Sequence, residues 1–300
     1  MKITNHAGLP QPIVDAVSAT FDLPIRSNVT PDGIRKVSVT RLIDSPLIAK
    51  LEREHWDEIE QDAADRLWAL FGTTLHDILA KAGKLLHLTE ESETAVGKTY
   101  LMKVPPDAPP TEIRVTGYFD RLCFADGELG DYKVTSAWSI LFGKIEWEQQ
   151  LNVYRHLSAA RDSIKALAIY ALLRDWSRSR AMQGSDYPQA QFVRVEVPIW
   201  TDDEAQAFIH ERLKAHMNPE PHCSDKERWA RPGSFAVMRE GRKSAVRVLE
   251  SKAEAEAFIA EKGLDAKHSI IQRPAQYVRC ESYCTVSKWC PIWQARDGAA

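Results

Sequence analysis

Asp120, Asp131 and Lys133 are the residues whose types and spacing suggest chemistry. Residues 112–125, EIRVTGYFDRLCFA, alternate with the period of a strand. Asp126-Gly127 is a strong hairpin-turn dipeptide, and residues 128–135, ELGDYKVT, read as the return strand. A two-residue turn there pairs Ala125 with Glu128 and Asp120 with Lys133. Asp131 then shares their face, diagonal to Asp120, and Tyr132 points the other way, toward a core. Opposed Cβ atoms lie ~5 Å apart and diagonal ones ~7 Å, so one ion could reach both acids and the lysine. Two carboxylates that close repel, and a divalent cation relieves the repulsion. Hard oxygen ligands favour magnesium or manganese. A metal held there lowers the pKa of its water and offsets charge on a phosphodiester oxygen. Lys133 would position or activate that water and stabilise developing negative charge. The same spacing also suits an ordinary Asp120–Lys133 salt bridge, which stabilises little on a surface.

The second constellation is sulfur. Of five cysteines, Cys280, Cys284 and Cys290 fall within eleven residues, Cys223 lies in PEPHCSDKERW, and Cys123 sits apart. In a reducing compartment such a cluster reads as a metal site more readily than as a disulfide framework. Four thiolates hold zinc or an iron–sulfur cluster, and Cys223, Cys280, Cys284 and Cys290 are the natural four. Spacing leaves zinc and iron–sulfur both open, beside the plainer reading of free buried thiols.

Other elements must position these groups. Residues 1–50 read as an irregular lead-in with one short helix near Pro12–Thr20, followed by a helix start in SVTRLIDSPLIAKLE with Thr40 or Asp44 as caps. Residues 56–84 repeat apolar side chains at three- and four-residue steps, a helical pattern that Gly72 interrupts. VPPDAPP, residues 104–110, must be loop. A helix is expected over 146–160, strands over 166–173 and 192–200, and a helix from Thr201 or Asp202 to Met217. The remainder holds the cysteines and a helix with a Ser251–Glu254 capping box, ended by Gly263. The expected domains are a lead-in over 1–50, a catalytic core over 51–218, and a cysteine annex over 219–300 packing on the core.

Composition narrows the classes. The chain has 300 residues, 44% hydrophobic and 27% charged, with a net charge of −3. That excludes collagen-like, low-complexity and wholly disordered chains. The net charge announces no global positive field, so DNA contact would need a local basic surface. No apolar run reaches the ~18–20 residues of a membrane-spanning helix. MKITNHAGLPQPIVDAV lacks the apolar core of a signal peptide, so the expected location is cytoplasmic, with no membrane partner.

GYFDRL followed by GELGDYKVTSAW resembles the PD-(D/E)XK nuclease signature, with Asp120, Asp131 and Lys133 at the two acids and the lysine. GTTLHDIL resembles the early helix motif of RecB-like exonucleases, and EQQLNVYRHL their Gln-xxx-Tyr helix motif. Over roughly residues 35–295 the chain looks closest to phage-encoded relatives of the CRISPR-adaptation nucleases. The resemblance implies a restriction-endonuclease-like α/β core, a mixed central sheet flanked by helices, with a C-terminal cysteine annex. It implies a metal-dependent DNA exonuclease in recombination or end processing. Its partners would be DNA, single-stranded or at duplex ends, and recombination proteins. His76, Asp120, Asp131 and the Tyr132 main-chain carbonyl would hold Mg2+ or Mn2+, with Gln150 and Tyr154 orienting Lys133 or contacting the strand. The cysteines would hold a [4Fe–4S] cluster, with structural Zn2+ as the alternative. The family's usual arrangement puts one cysteine before the nuclease core, whereas this chain has none before His76. Trp138, Lys144, Trp147 and Arg155 are candidates to grip DNA. The competing readings are a non-catalytic DNA-binding or assembly module and a thiolate-cluster electron carrier or redox sensor.

Overall fold

The alternation of residues 112–125 produces a long strand, β5, with Ile113, Val115 and Phe119 in the core. In this computed structural model, residues 1–21, 29–85, 90–184, 186–264 and 266–297 are described. The chain divides into two compact units, Met1–Pro221 and His222–Ala300. In the first, β1 (Lys2–Thr4), α1 (Gln11–Phe21), β2 (Arg35–Ser38), α2 (Val39–Ile43), α3 (Pro46–Glu54) and β3 (Glu60–Asp62) precede α4 (Leu67–Leu85). Then come β4 (Glu90–Met102), β5 (Thr111–Cys123), β6 (Glu128–Thr135), α5 (Ala137–Phe142) and α6 (Ile145–Leu157). β7 (Ala166–Leu173), α7 (Arg178–Ala181), β8 (Phe192–Val197) and α8 (Asp202–Met217) complete it.

Six of these strands form a mixed sheet in the order β2-β5-β6-β7-β8, with β4 also paired to β5. β4 runs antiparallel along β5, from Glu90 opposite Cys123 to Met102 opposite Thr111. β2 pairs in parallel with residues 113–116 of β5, and β6 pairs antiparallel with residues 121–123. The parallel strands β6 and β7 require a crossover, which α6 supplies. Trp147, Leu151, Val153, Tyr154 and Leu157 of α6 are buried with Leu129, Leu167 and Ile169 of the sheet and Ile209 and Leu213 of α8. Each such large side chain contributes roughly 1.5–3 kcal/mol by leaving water.

Several elements differ from the sequence-based expectation. Residues 1–50 also supply β2 to the sheet and two helices, α2 and α3. Their caps are Ser38, which accepts from the Arg41 N–H at 3.2 Å, and Ser45, which accepts from Ile48, with Pro46 in the first turn. Neither Thr40 nor Asp44 caps: serine hydroxyls stand one step before each helix. The helix expected from residue 56 begins only at Leu67, and it runs unbroken through Gly72. Ile59 and Ala63 are buried outside it, in the turns around β3. β4 was not legible, because an edge strand can be largely polar. α8 carries a full capping box between Thr201 and Glu204.

The second unit contains β9 (Ala230–Arg231), β10 (Ser234–Arg239), β11 (Arg247–Leu249), α9 (Lys252–Glu261), β12 (His268–Arg273) and β13 (Gln276–Tyr277). Helices α10 (Val278–Ser282) and α11 (Pro291–Asp297) follow. β11-β10-β12 form an antiparallel sheet, and β9 pairs with β13. The capping box expected at Ser251 and Glu254 starts α9. Among the described residues no helix is long and apolar enough to cross a membrane.

Candidate active site

The β5–β6 hairpin has a four-residue connection, Phe124–Gly127, and not the two-residue turn expected. Asp126 Oδ1 accepts from the Glu128 N–H at 3.1 Å, and Gly127 takes φ 67°, so the aspartate closes the turn through its own side chain. The register therefore moves by two residues: Arg121 faces Gly130 and Leu122 faces Leu129. Carried one residue further, Asp120 faces Asp131 and not Lys133. A shift of two keeps every side chain on its face, so the acids and the lysine stay together.

A third acid joins them. Ser92 pairs with Arg121 and Thr94 with Phe119, which places Glu93 of β4 opposite Asp120. Glu93, Asp120 and Asp131 thus form one row across three strands. Glu93 has φ 55°, a left-handed conformation uncommon for a residue with a Cβ. His76 of α4 completes this side of the site. Its Nδ1 lies 3.2 Å from Asp120 Oδ1 and 4.0 Å from Glu93 Oε1. His76, Glu93 and Asp120 offer ligand atoms all within 4.8 Å of one another, the one such group among the described residues. A backbone contact fixes Asp120, whose Oδ2 accepts from the Tyr132 N–H at 2.7 Å.

Asp131 belongs to a different shell. It is 2% exposed, and Gln150 Nε2 donates to its Oδ1 at 3.0 Å. Lys133 Nζ lies 2.6 Å from Oδ2, so the enclosed oxygen is partnered by an ammonium. To the expected His76, Asp120, Asp131 and Tyr132 carbonyl the structure adds Glu93, and it brings His76, Glu93 and Asp120 closest together, with Asp131 held by Lys133 and Gln150. Gln150 also donates to the Tyr154 hydroxyl at 3.1 Å, which ties the two motif residues of α6 to each other. Gly117 leaves room for the Tyr154 ring: a Cβ there would lie 2.4 Å from Tyr154 Cε1.

The electrostatics follow burial. Desolvation pushes the Asp131 carboxyl up to about 6; the Lys133 ammonium opposes this, and the neighbouring Asp120 charge adds to it. The Asp120 hydrogen bond holds His76 above its ordinary pKa, with burial working the other way. Imidazole nitrogen beside hard carboxylate oxygens is a donor set that fits Mg2+ or Mn2+.

The remaining candidates are dispersed. The Tyr132 ring is half-buried, edge-on to His76 and 5.8 Å from Tyr170, in place of the core position expected. Trp138 is half exposed and stacked on Phe142, with ring centroids 5.7 Å apart. Lys144 Nζ sits 6.0 Å from the Trp147 ring, and Trp147 itself is a core residue. Arg155 is engaged internally: it donates to the carbonyls of Ile164 and Trp200 and lies 3.5 Å from Asp202. Trp147 and Arg155 are not surface groups, because α6 is covered on both the sheet side and the α8 side. Cys223 and Cys290 are buried, Cys280 and Cys284 half-buried, and none is in a disulfide. Burial raises the Cys280 and Cys284 thiols, and Cys290 acts in the same direction on both. Cys280, Cys284 and Cys290 therefore act on one another electrostatically, but among the described residues no three cysteine sulfurs lie within 4.8 Å of one another, so the compact four-sulfur shell expected for zinc is not assembled.

No family model and no curated protein matches the chain. Among solved structures, one described as "Crystal structure of SSO0001" is 15% identical over 72% of this chain and 89% of that chain, with a TM-score of 0.46. At that level of likeness the functional reading rests on this chain's own residues.

Proposed function

We propose that this chain is a divalent-metal-dependent deoxyribonuclease of the PD-(D/E)XK, RecB-like type, with a restriction-endonuclease-like core, acting on DNA ends in recombination or end processing. The row Glu93–Asp120–Asp131, with His76 at one end and Lys133 and Gln150 at the other, carries this reading.

His76, Glu93, Asp120 and Asp131 would hold Mg2+ or Mn2+, with the Tyr132 carbonyl as a further oxygen. Such an ion, when bound, supplies a water of lowered pKa and positive charge beside a phosphodiester oxygen. Lys133 orients the attacking water and offsets the negative charge that grows on the phosphate. Gln150 fixes the Asp131 carboxylate by its hydrogen bond, and Tyr154 in turn orients the Gln150 amide. A [4Fe–4S] cluster or zinc on Cys223, Cys280, Cys284 and Cys290 would have to draw their sulfurs closer together, and its role would be structural, since hydrolysis needs no redox step.

The test is cleavage of end-labelled DNA with manganese by the full chain and by Lys133→Ala. The expected result is hydrolysis by the parent and a loss of about a hundredfold or more in the variant, the scale for removing one charge-stabilising group. Undiminished cleavage by a folded Lys133→Ala protein, or binding without cleavage by the parent, would refute the nuclease reading. The second outcome would favour a DNA-binding module.

A further inference from the structure

In the second unit, cations and acids are sorted by element. On and beside α9, positive charges are neutralised locally: Lys252 lies 3.5 Å from Glu256, and Lys262 lies 2.9 Å from Glu261. The β10–β11 hairpin is different. Its segment REGRKSAVR, residues 239–247, carries Arg239, Arg242, Lys243 and Arg247 against the single acid Glu240. All four cations are exposed. Among the described residues none of the four has a carboxylate within ion-pair distance.

The hairpin that carries them is well formed. Val246 N–H donates to the Val237 carbonyl at 2.8 Å, Arg242 N–H to the Arg239 carbonyl at 3.0 Å, and Gly241 takes φ 78° at the tip. Val237 faces Arg247 across the ladder and Arg239 lies two residues beyond Val237 in β10, so Arg239 and Arg247 are diagonal neighbours on one face by register. Diagonal neighbours of this kind lie ~7–8 Å apart, and two long arginine side chains at that spacing can each reach a phosphate of one strand. Four like charges on one turn repel one another, and a polyanion relieves that repulsion by releasing its own counterions. The chain's net charge of −3 makes this local concentration a segregated surface and not a consequence of composition.

We propose that the β10–β11 hairpin is a nucleic-acid-binding arm, in which Arg239, Arg242, Lys243 and Arg247 grip the sugar–phosphate backbone of DNA. The choice of DNA rests on the nuclease reading above; the backbone contact does not depend on hydrolysis. The arm reads charge, not sequence, so it holds substrate of any sequence.

The experiment is anisotropy binding of a labelled DNA strand and the corresponding duplex by the full chain in EDTA, over a salt series. Arg242→Glu/Lys243→Glu/Arg247→Glu should bind at least about tenfold more weakly at moderate salt. The slope of log affinity against log salt should fall by about 0.7–0.9 for each lost phosphate contact. Arg242→Gln/Lys243→Gln/Arg247→Gln, with circular dichroism matched to the parent, gives a milder loss in the same direction and covers misfolding of the charge-reversed chain. Affinity and slope unchanged within twofold in the folded glutamine variant would overturn the proposal, including the case in which the hairpin serves an acidic protein instead. Asp131→Asn separates the two readings. If it still cleaves, hydrolysis does not come from the Asp131 site; if it binds normally without cleaving, the site reading stands; in either case the salt series on the hairpin variants alone decides for or against the arm.

Discussion

The two ends of the acidic row in the first unit are built differently. At one end Asp131, Gln150 and Tyr154 are 2%, 6% and 4% exposed, each held by a named neighbour. At the other end His76 and Glu93 keep 28% and 51% of their side chains in water. The buried end is preorganised and resists ionisation; the open end can admit and release an ion. A site that had to fix one carboxylate and still admit an ion would gain from having both.

Four results would break or sharpen that contrast. The largest effect belongs to Asp131→Asn, which keeps shape and removes charge. Cleavage of end-labelled DNA should fall by about a thousandfold, with the melting temperature unchanged or raised, since an ionised buried acid is costly. A variant that cleaves like the parent would contradict the buried end's role.

Next is pH, measured on the parent in EDTA by urea denaturation. The folded chain keeps the Asp131 proton up to about 6, whereas the unfolded chain releases it near 3.8. Between those values the unfolded state binds fewer protons, so stability falls as pH rises. The loss attributable to this carboxyl is at most about 3 kcal/mol, at 1.36 kcal/mol per pKa unit. Asp131→Asn should remove that dependence; an identical pH profile in the variant would argue against a perturbed Asp131.

Gly117→Ala tests the packing behind the buried end. Its Cβ would enter the Tyr154 ring, and overpacking of this kind costs about 1–3 kcal/mol, read as a lower urea midpoint. The turnover rate should fall with it through the Tyr154–Gln150–Asp131 chain.

The smallest effect, opposite in sign for stability, is at the open end. Glu93→Gly removes a left-handed side chain and should stabilise the fold by up to about 1 kcal/mol. The same change should raise the manganese concentration needed for half-maximal cleavage several-fold. Loss of stability without a change in manganese dependence would leave Glu93 a purely structural residue.

Much of the buried end was legible, because strands and helices announce themselves by period. β6 and β7 fall at the residues where alternation and an apolar run put them, and Gln150 and Tyr154 sit one helical turn apart. The register was not legible: Asp126-Gly127 suggested a two-residue turn, but the Asp126 side chain organises four residues. The face survived that error only because the slip was even. Glu93 left no signal, since a polar edge strand has no apolar rhythm and a glutamate at φ 55° follows no propensity. The sheet of the second unit was missed for a related reason. Its strands are three to six residues long, and each begins or ends on an arginine.

Anomalous diffraction from crystals grown with manganese addresses the open end directly. The account predicts an ion at roughly 2.0–2.2 Å from His76 nitrogen and an Asp120 oxygen, with Glu93 or Asp131 completing its shell. Strong manganese density elsewhere, with none between His76 and Asp120 in a chain that still cleaves DNA, would contradict it.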